Sequence, residues 1–266
     1  QELTLGFFDR LRAGSKRWAQ TIVVVPPPGH LQNAGLVQRK PEPLRSHDEE
    51  TIRQDTIKIR LAHDASRSTA ARVLVERRYE EKGYFSVGDL SHKQVCPENI
   101  TLASYKGDEL MGTLSLGFDT GAGLLVDEIY KAEVDELRRA GRRVCEFTKL
   151  AIDYKRTSKR ILAGLFHIAF LYSERIWGYT DIVIEVNPSH VSFYQRMLGF
   201  DVLGTERMCS RVNAPAVLLR GDTQRGRDMV DKFGGRPELA KQERSLFPYF
   251  LSKAEEDRIL ECLMQG

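Results

Sequence analysis

The sequence predicts a mixed α/β domain: a central mixed sheet flanked by helices, with an amphipathic helix before it and a helical tail after it. Three observations carry this. Alternating or β-branched runs recur between residues 55 and 221, separated by stretches of helical periodicity. Two of these runs, in "ITLASYKGDELMGTLSLGF", flank a Lys-Gly-Asp-Glu turn and read as a hairpin, so the sheet is not purely parallel. The stretch "TDIVIEVNPSHVSFYQRMLGF" reads as strand, tight turn, short helix, stop and next strand.

Taken in order, residues 1–20 form an amphipathic helix, with Leu3, Phe7, Leu11 and Trp18 on one stripe flanked by Arg10, Arg12, Lys16 and Arg17. Such a helix packs on the domain or on another chain, or lies on a membrane surface through residues 2–18. Residues 21–54 read as a linker, since residues 26–50 hold five prolines and little periodicity. The domain proper spans 55–221. "DTIKIRLAH" alternates as a strand, and "ASRSTAARVLVERRYEEKG" is a helix stopping at Gly83. After the hairpin come the helix "DEIYKAEVDELRRAG", the apolar strand "RRVCEFTKLAID" and a long helix over 157–177. The strand "TDIVIEVN", a short helix and two further strands, at 200–207 and in "APAVLLR", complete it. Residues 222–266 are a charged extension, helical at "KAEEDRILECLM".

Composition narrows the function classes. With 266 residues, 41% hydrophobic and 29% charged, the chain is ordinary globular material, and a net charge of +3 does not argue for nucleic acid. Cys96, Cys145, Cys209 and Cys262 lie far apart without C-x-x-C spacing, so neither a disulfide framework nor a metal site is expected. No apolar run approaches the roughly 18 residues needed to cross a bilayer. The expectation is a cytoplasmic protein, with residues 2–18 as the candidate contact with the inner membrane surface.

The element order, together with an Asn at a strand end (Asn187), a Tyr on the following short helix (Tyr194) and a Gly199-Phe200 closure, resembles the GNAT acyltransferase superfamily. That resemblance implies a GNAT-like sheet whose fourth and fifth strands, here "RRVCEFTKLAID" and "TDIVIEVN", splay apart. The pantetheine arm of an acyl donor lies between them, with the Tyr hydroxyl facing the thioester sulfur.

Acyl transfer from a thioester to an amine requires an amine that loses a proton, donors for the oxyanion and a proton for the leaving thiolate. Tyr194 is the candidate acid, because a phenol is close in acidity to a thiol; the plainer role is a ring packed in the core. Glu146 lies inside an otherwise apolar strand, where a carboxylate is costly unless it is paired or faces a cleft. It reads either as a general base for the incoming amine or as the partner of a nearby Arg. Lys149, three residues on, points the opposite way in a regular strand, and a β-bulge would bring it round.

Coenzyme A loops of the superfamily follow the fourth strand with R-x-x-G-x-G/A, whose glycines let backbone N–H groups wrap a pyrophosphate. Here the segment is "YKRTSKRILAG". Arg156 matches, Lys159 and Ile161 replace the glycines, and Thr157 or Ser158 remains to cap the helix. Residues 138–160 hold nine Lys or Arg against Glu146 and Asp153. A basic surface of Arg142, Arg143, Lys155, Arg156, Lys159 and Arg160 suits an acidic acyl carrier protein better than coenzyme A.

"CEFTKLAID" resembles the E-x-x-R-[FL]-A-[VI] strand of acyl-homoserine-lactone synthases, with Lys149 in place of Arg, but the N-terminal Arg, Phe, Trp and paired-Asp constellation of those enzymes is missing. "LLVDEIYKAEVDELRRAGRRVCEFTKLAID", "NPSHVSFYQRMLGF" and "VNAPAVLL" resemble the N-acyl amino acid synthases of the long-chain N-acyltyrosine type, over residues 57–220. The resemblance implies transfer of a fatty acyl chain from acyl carrier protein to the α-amine of a small amino acid substrate, with acyl-phosphopantetheine as donor and acyl-coenzyme A as the alternative. It places Leu150, Ala151, Ile152, Arg156, Ser158 and Asn187 along the acyl-pantetheine arm, and Lys149 and Asp127 as substrate-orienting residues. A lactone-type synthase, or a non-catalytic module binding carrier protein or lipid, are the competing readings.

Overall fold

The β-rich segments join edge to edge in one sheet. A computed structural model describes residues 23–25, 57–62, 65–84, 99–153 and 158–264. Its strands are β1 (Val23–Val25), β2 (Ile57–Leu61), β3 (Asn99–Lys106), β4 (Glu109–Phe118), β5 (Val144–Ile152), β6 (Asp181–Val186), β7 (Asp201–Cys209) and β8 (Ala214–Asp222). They lie in the order β1-β2-β3-β4-β5-β6-β8-β7. Every neighbouring pair is antiparallel except β5 and β6, which run parallel. The helices are α1 (Ala65–Glu81), α2 (Asp127–Arg139), α3 (Lys159–Leu171), α4 (Val191–Leu198), α5 (Thr223–Phe233) and α6 (Lys253–Met264). The amphipathic helix expected at the N-terminus and most of the expected linker fall outside the described residues. Within that linker, β1 pairs with the edge of β2, Val24 opposite Lys58.

The hairpin closes on Gly107 and Asp108 between β3 and β4, as the turn residues require. The long helix expected over 157–177 is α3 followed by a π-turn at Tyr172–Ile176. The charged stretch after β8 forms α5, whose Met229, Val230 and Phe233 meet the core. Asp222 caps it by accepting from Arg225 N–H at 3.0 Å, and Gly226 lets the helix sit under the Phe170 ring, which an added Cβ would meet at 3.0 Å.

The sheet has two covered faces. Val144 of β5, Val183 of β6 and Leu218 of β8 pack with Val126, Tyr130 and Val134 at α2, and Ala151 packs with Leu74 and Val75 of α1. On the other face Cys145, Phe147 and Ile152 join α3, α4 and the C-terminal segments in the main core. Strict alternation would place Ile152 with Val144, not with Cys145. The parity changes because the β4–β5 register slips by one residue: Thr113 faces Ala151 but Ser115 faces Thr148. The extra residue lies at Lys149–Leu150, where Lys149 takes a positive φ of 52°. This is the bulge that would turn Lys149 toward the cleft.

Candidate active site between the splayed strands

β5 and β6 share only three register positions: Val144 with Asp181, Cys145 with Ile182, and Glu146 with Val183. Beyond Glu146 each strand follows its outer neighbour. β6 stays paired with β8 along its whole length, and β5 stays with β4 through the bulge. The divergence opens a cleft of about 930 Å³ that reaches both faces of the sheet. On the α3 side it is walled by Phe147, Leu150, Phe166, Ile184 and Tyr194, and on the α2 side by Glu128, Glu146, Glu185, Ser210 and Arg211. One opening therefore joins an apolar half to a half rich in carboxylates.

Glu146 is 2% exposed, and the helix start beside it supplies a partner: Leu125 N–H donates to its Oε2 at 2.8 Å. That segment is held by Arg138, which pairs with Asp119 at 2.7 Å, Asp127 at 2.7 Å and Asp135 at 2.7 Å. Burial, and then the nearby Glu185, push the Glu146 carboxyl up to about 8. Glu185 is raised to about 7, again chiefly by burial, against the pull of Arg211. Arg211 is the hub of this half. It pairs with Glu185, reaches Glu128 at 3.3 Å, donates to Leu125 O at 2.9 Å and lies 3.5 Å from Cys209 Sγ. The arginine partner considered for Glu146 is thus spent on Glu185 and Glu128, and Glu146 takes a backbone donor instead.

The Asn-to-Tyr spacing has a structural explanation. Asn187 accepts from Ser189 N–H at 3.1 Å and from Ser189 Oγ at 2.7 Å, which closes the turn out of β6. α4 then ends at Gly199, whose φ of 70° is the left-handed stop that a glycine adopts without strain. Two turns of helix keep Tyr194 against the cleft while its ring packs edge-on to Phe166, Phe193 and Phe200. His190, four residues earlier on the same side, also lines the cleft, and burial lowers its pKa.

The other expected site residues divide. Lys149, Leu150, Ala151, Ile152 and Asn187 line the cleft with Glu146 and Tyr194. Asp127 does not: Arg138 and Leu124 N–H hold its carboxylate, and the next residue, Glu128, faces the cleft. Ser158 stands at the start of α3 without a side-chain capping bond and is not in the cleft wall. Lys155 and Arg156 fall outside the described residues. Lys159 and Arg160 open α3, beyond the C-terminal end of β5. Arg142 and Arg143 precede that strand, so its nine residues separate the two groups by roughly 30 Å. Arg142 is committed to Asp181 at 2.5 Å and Asp222 at 2.7 Å, and Arg143 stacks on Tyr179 at 5.2 Å. Of the expected docking residues that are described, Arg142 and Arg143 thus lie at the opposite end of β5 from Lys159 and Arg160.

Sequence reasoning missed Glu185, Arg211, Glu128 and His190. Glu185 carried a readable signal, since it is a carboxylate inside the β-branched strand "TDIVIEVN", the same anomaly that singled out Glu146.

The N-acyl amino acid synthase FeeM family matches residues 70–222. The chain belongs to that family. It is an acyltransferase, with a GNAT-like mixed sheet and helices on both faces. The solved structure of FeeM, an N-acyl amino acid synthase from uncultured soil microbes, is 28% identical with a TM-score of 0.60, over 65% of this chain and 94% of that one. The acyl-homoserine-lactone synthase LasI matches with a TM-score of 0.44 at 12% identity, over 63% and 89%. Escherichia coli ElaA matches with a TM-score of 0.44 at 12% identity, over 60% and 92%. No curated protein matches the chain. No helix among the described residues is long and apolar enough to cross a membrane.

Proposed function

We propose that the protein transfers a fatty acyl chain from acyl carrier protein to the α-amine of an amino acid, giving an N-acyl amino acid. The observation that carries this reading is the cleft itself, one opening that joins an apolar half to a carboxylate half. A fatty acyl thioester needs the first and an ammonium-bearing acceptor needs the second. Glu146 takes a proton from the acceptor's ammonium, and the freed nitrogen lone pair attacks the thioester carbon. As the C–S bond breaks, Tyr194 donates its phenolic proton to the thiolate, and the second proton leaving nitrogen restores the phenol. Lys149, turned by the bulge, orients the acceptor's carboxylate.

The carrier protein rests on the start of α3. Ile161, at the second glycine position of the coenzyme A pattern, is 2% exposed and serves the core rather than a phosphate. Lys159 is exposed and Arg160 partly so, which suits an acidic carrier docked beside the cleft.

The test supplies purified protein with acylated carrier protein or acyl-coenzyme A, each with the twenty amino acids, and identifies products by mass spectrometry. N-acyl amino acids formed from the carrier are the expected result. Product from coenzyme A alone would overturn the donor, and no N-acylated product from either would overturn the reaction.

A further inference from the structure

We propose that Glu185 is a second catalytic carboxylate: it seats the acceptor's ammonium group on Oε1 and shares with Glu146 the proton that the amine releases. The inference rests on the acyl-transfer reading and adds to it the group that holds the acceptor.

The argument starts from register. Glu146 sits opposite Val183, so Glu185, two residues on, projects from the same face of the sheet, diagonally across the splay. Both carboxylates line the cleft. The two oxygens of Glu185 have different fates. Oε2 is held by Arg211, with Cys209 Sγ at 3.9 Å. Oε1 is buried with no hydrogen-bond partner among the described residues. A buried carboxylate oxygen without a donor is costly, and where one persists a ligand is the natural partner. The complement of an acceptor oxygen at the wall of a cleft is an N–H donor, and an ammonium brings three. Arg211 cannot turn to fill this role without abandoning Glu128 and Leu125 O, which already hold it.

The groups that face Glu185 come from four elements. They are Glu146 from β5, Glu128 and Tyr130 from α2, Cys209 and Arg211 from the end of β7, and Tyr79 from α1. Arg211 is the single cation among them, against Glu146, Glu128 and Glu185 itself, so the half-site attracts a cation small enough to enter. Two carboxylates this close do not both ionise readily, and the pair retains one proton near neutrality. The ionised member takes one proton from the ammonium and passes it to water once the amide has formed. The second proton leaving nitrogen goes to the departing sulfur through Tyr194, so each turnover releases one proton to solvent.

The experiment compares the parent with Glu185→Gln and Glu185→Asp. The acceptors are the amino acid acylated fastest in the twenty-amino-acid assay and hydroxylamine, which is already neutral at pH 7 and needs neither an ammonium seat nor a base. For the amino acid, Glu185→Gln should raise the acceptor KM by ~10-fold or more and flatten the acid limb of kcat/KM against pH. The KM for acylated carrier and the rate with hydroxylamine should stay within about twofold of the parent, a difference well under 1 kcal/mol. Glu185→Asp keeps the charge but withdraws the oxygens, and should fall between; it decides the matter if Glu185→Gln does not fold. Equal losses with both acceptors would mean that Glu185 only supports the fold. An unchanged acceptor KM and pH profile would also overturn the assignment, while a parent that acylates no amino acid refutes the reaction itself.

Discussion

Two clusters in this molecule bury a glutamate beside an arginine, and they behave in opposite ways. At the C-terminal side, Glu256 is fully buried between α3, α5 and α6. Its Oε1 accepts from Arg227 at 3.0 Å and lies 2.7 Å from His167 Nε2, and its Oε2 accepts from Arg227 at 2.8 Å. His167 Nδ1 accepts from Leu251 N–H at 2.8 Å, so the neutral ring carries its proton on Nε2, toward Glu256. Burial alone would raise Glu256, but the hydrogen bond from His167 and the charge of Arg227 hold it below the usual carboxylate range. In the cleft, Glu146 accepts from the backbone at Leu125 and Val126, Glu185 leaves an oxygen unpartnered among the described residues, and both are raised. The lesson concerns satisfaction rather than burial. The C-terminal cluster gives both oxygens of its carboxylate partners without a ligand and ties the extension to the domain, its one buried unpartnered atom among the described residues being a donor, Arg227 Nε, whereas in the cleft the unpartnered atom is a carboxylate oxygen.

Substitutions can break this contrast. Glu256→Gln should cost ~1–3 kcal/mol of stability, because Arg227 and His167 lose their buried carboxylate partner while Glu174 still pairs with Arg227. Thermal melting checks this, and activity per folded molecule should be unchanged. Glu146→Gln should do the reverse. Transfer should fall by ~10²-fold or more at neutral pH and recover partly at high pH, where the amine is already free, with no loss of melting temperature. The pH dependence of stability sharpens the point. Glu146 and Glu185 hold protons more tightly folded than unfolded, so they cost stability as pH rises from about 4.5 towards 8. Glu256 has a lowered folded pKa, so the stability it contributes is lost as pH falls through that value. Denaturant titrations should therefore show a shallower decline above pH 5 in Glu146→Gln than in the parent.

Smaller effects are expected at the apolar half. Tyr194→Phe keeps the ring contacts with Phe166, Phe193 and Phe200 and should lower kcat by ~10-fold or more with little change in melting. A rate within about twofold of the parent would mark the residue as core only, a difference well under 1 kcal/mol. Reversing Lys159 and Arg160 to Glu should raise the KM for acylated carrier several-fold and weaken its salt dependence, while Arg142→Ala, at the far end of β5, should leave that KM unchanged.

How much of this was legible in the sequence depended on whether the signal was local. Period and turn chemistry placed the hairpin, the strands around Glu146 and Glu185, and the two-turn helix ended by Gly199, because each is decided within a few residues. α5 was passed over although Asp222 caps it and Met229, Val230 and Phe233 give it an apolar side; what no local pattern could show is that Arg227 reaches Glu174 at 2.8 Å and Glu256, residues far along the chain. Glu146 and Tyr194, singled out from local pattern, both line the cleft. Asp127 was chosen where Glu128 faces the opening, and one residue on a helix turns the side chain by about 100°. Arg211 lies in a polar turn between β7 and β8 that resembles any surface loop. Only the tertiary approach of Glu128, Leu125 and Glu185 makes it a hub.

The most direct measurement is the ionisation of the two glutamates, read by infrared difference spectroscopy of carboxyl bands between pH 4 and pH 9 and assigned with Glu146→Gln and Glu256→Gln. A protonated carboxyl that persists through pH 7 and disappears in Glu146→Gln, with Glu256 ionised across the whole range, is the expected result. A Glu146 band already lost by pH 5, alongside Glu256, would show the two clusters to be alike and would contradict the assignment of the cleft carboxylates to proton transfer.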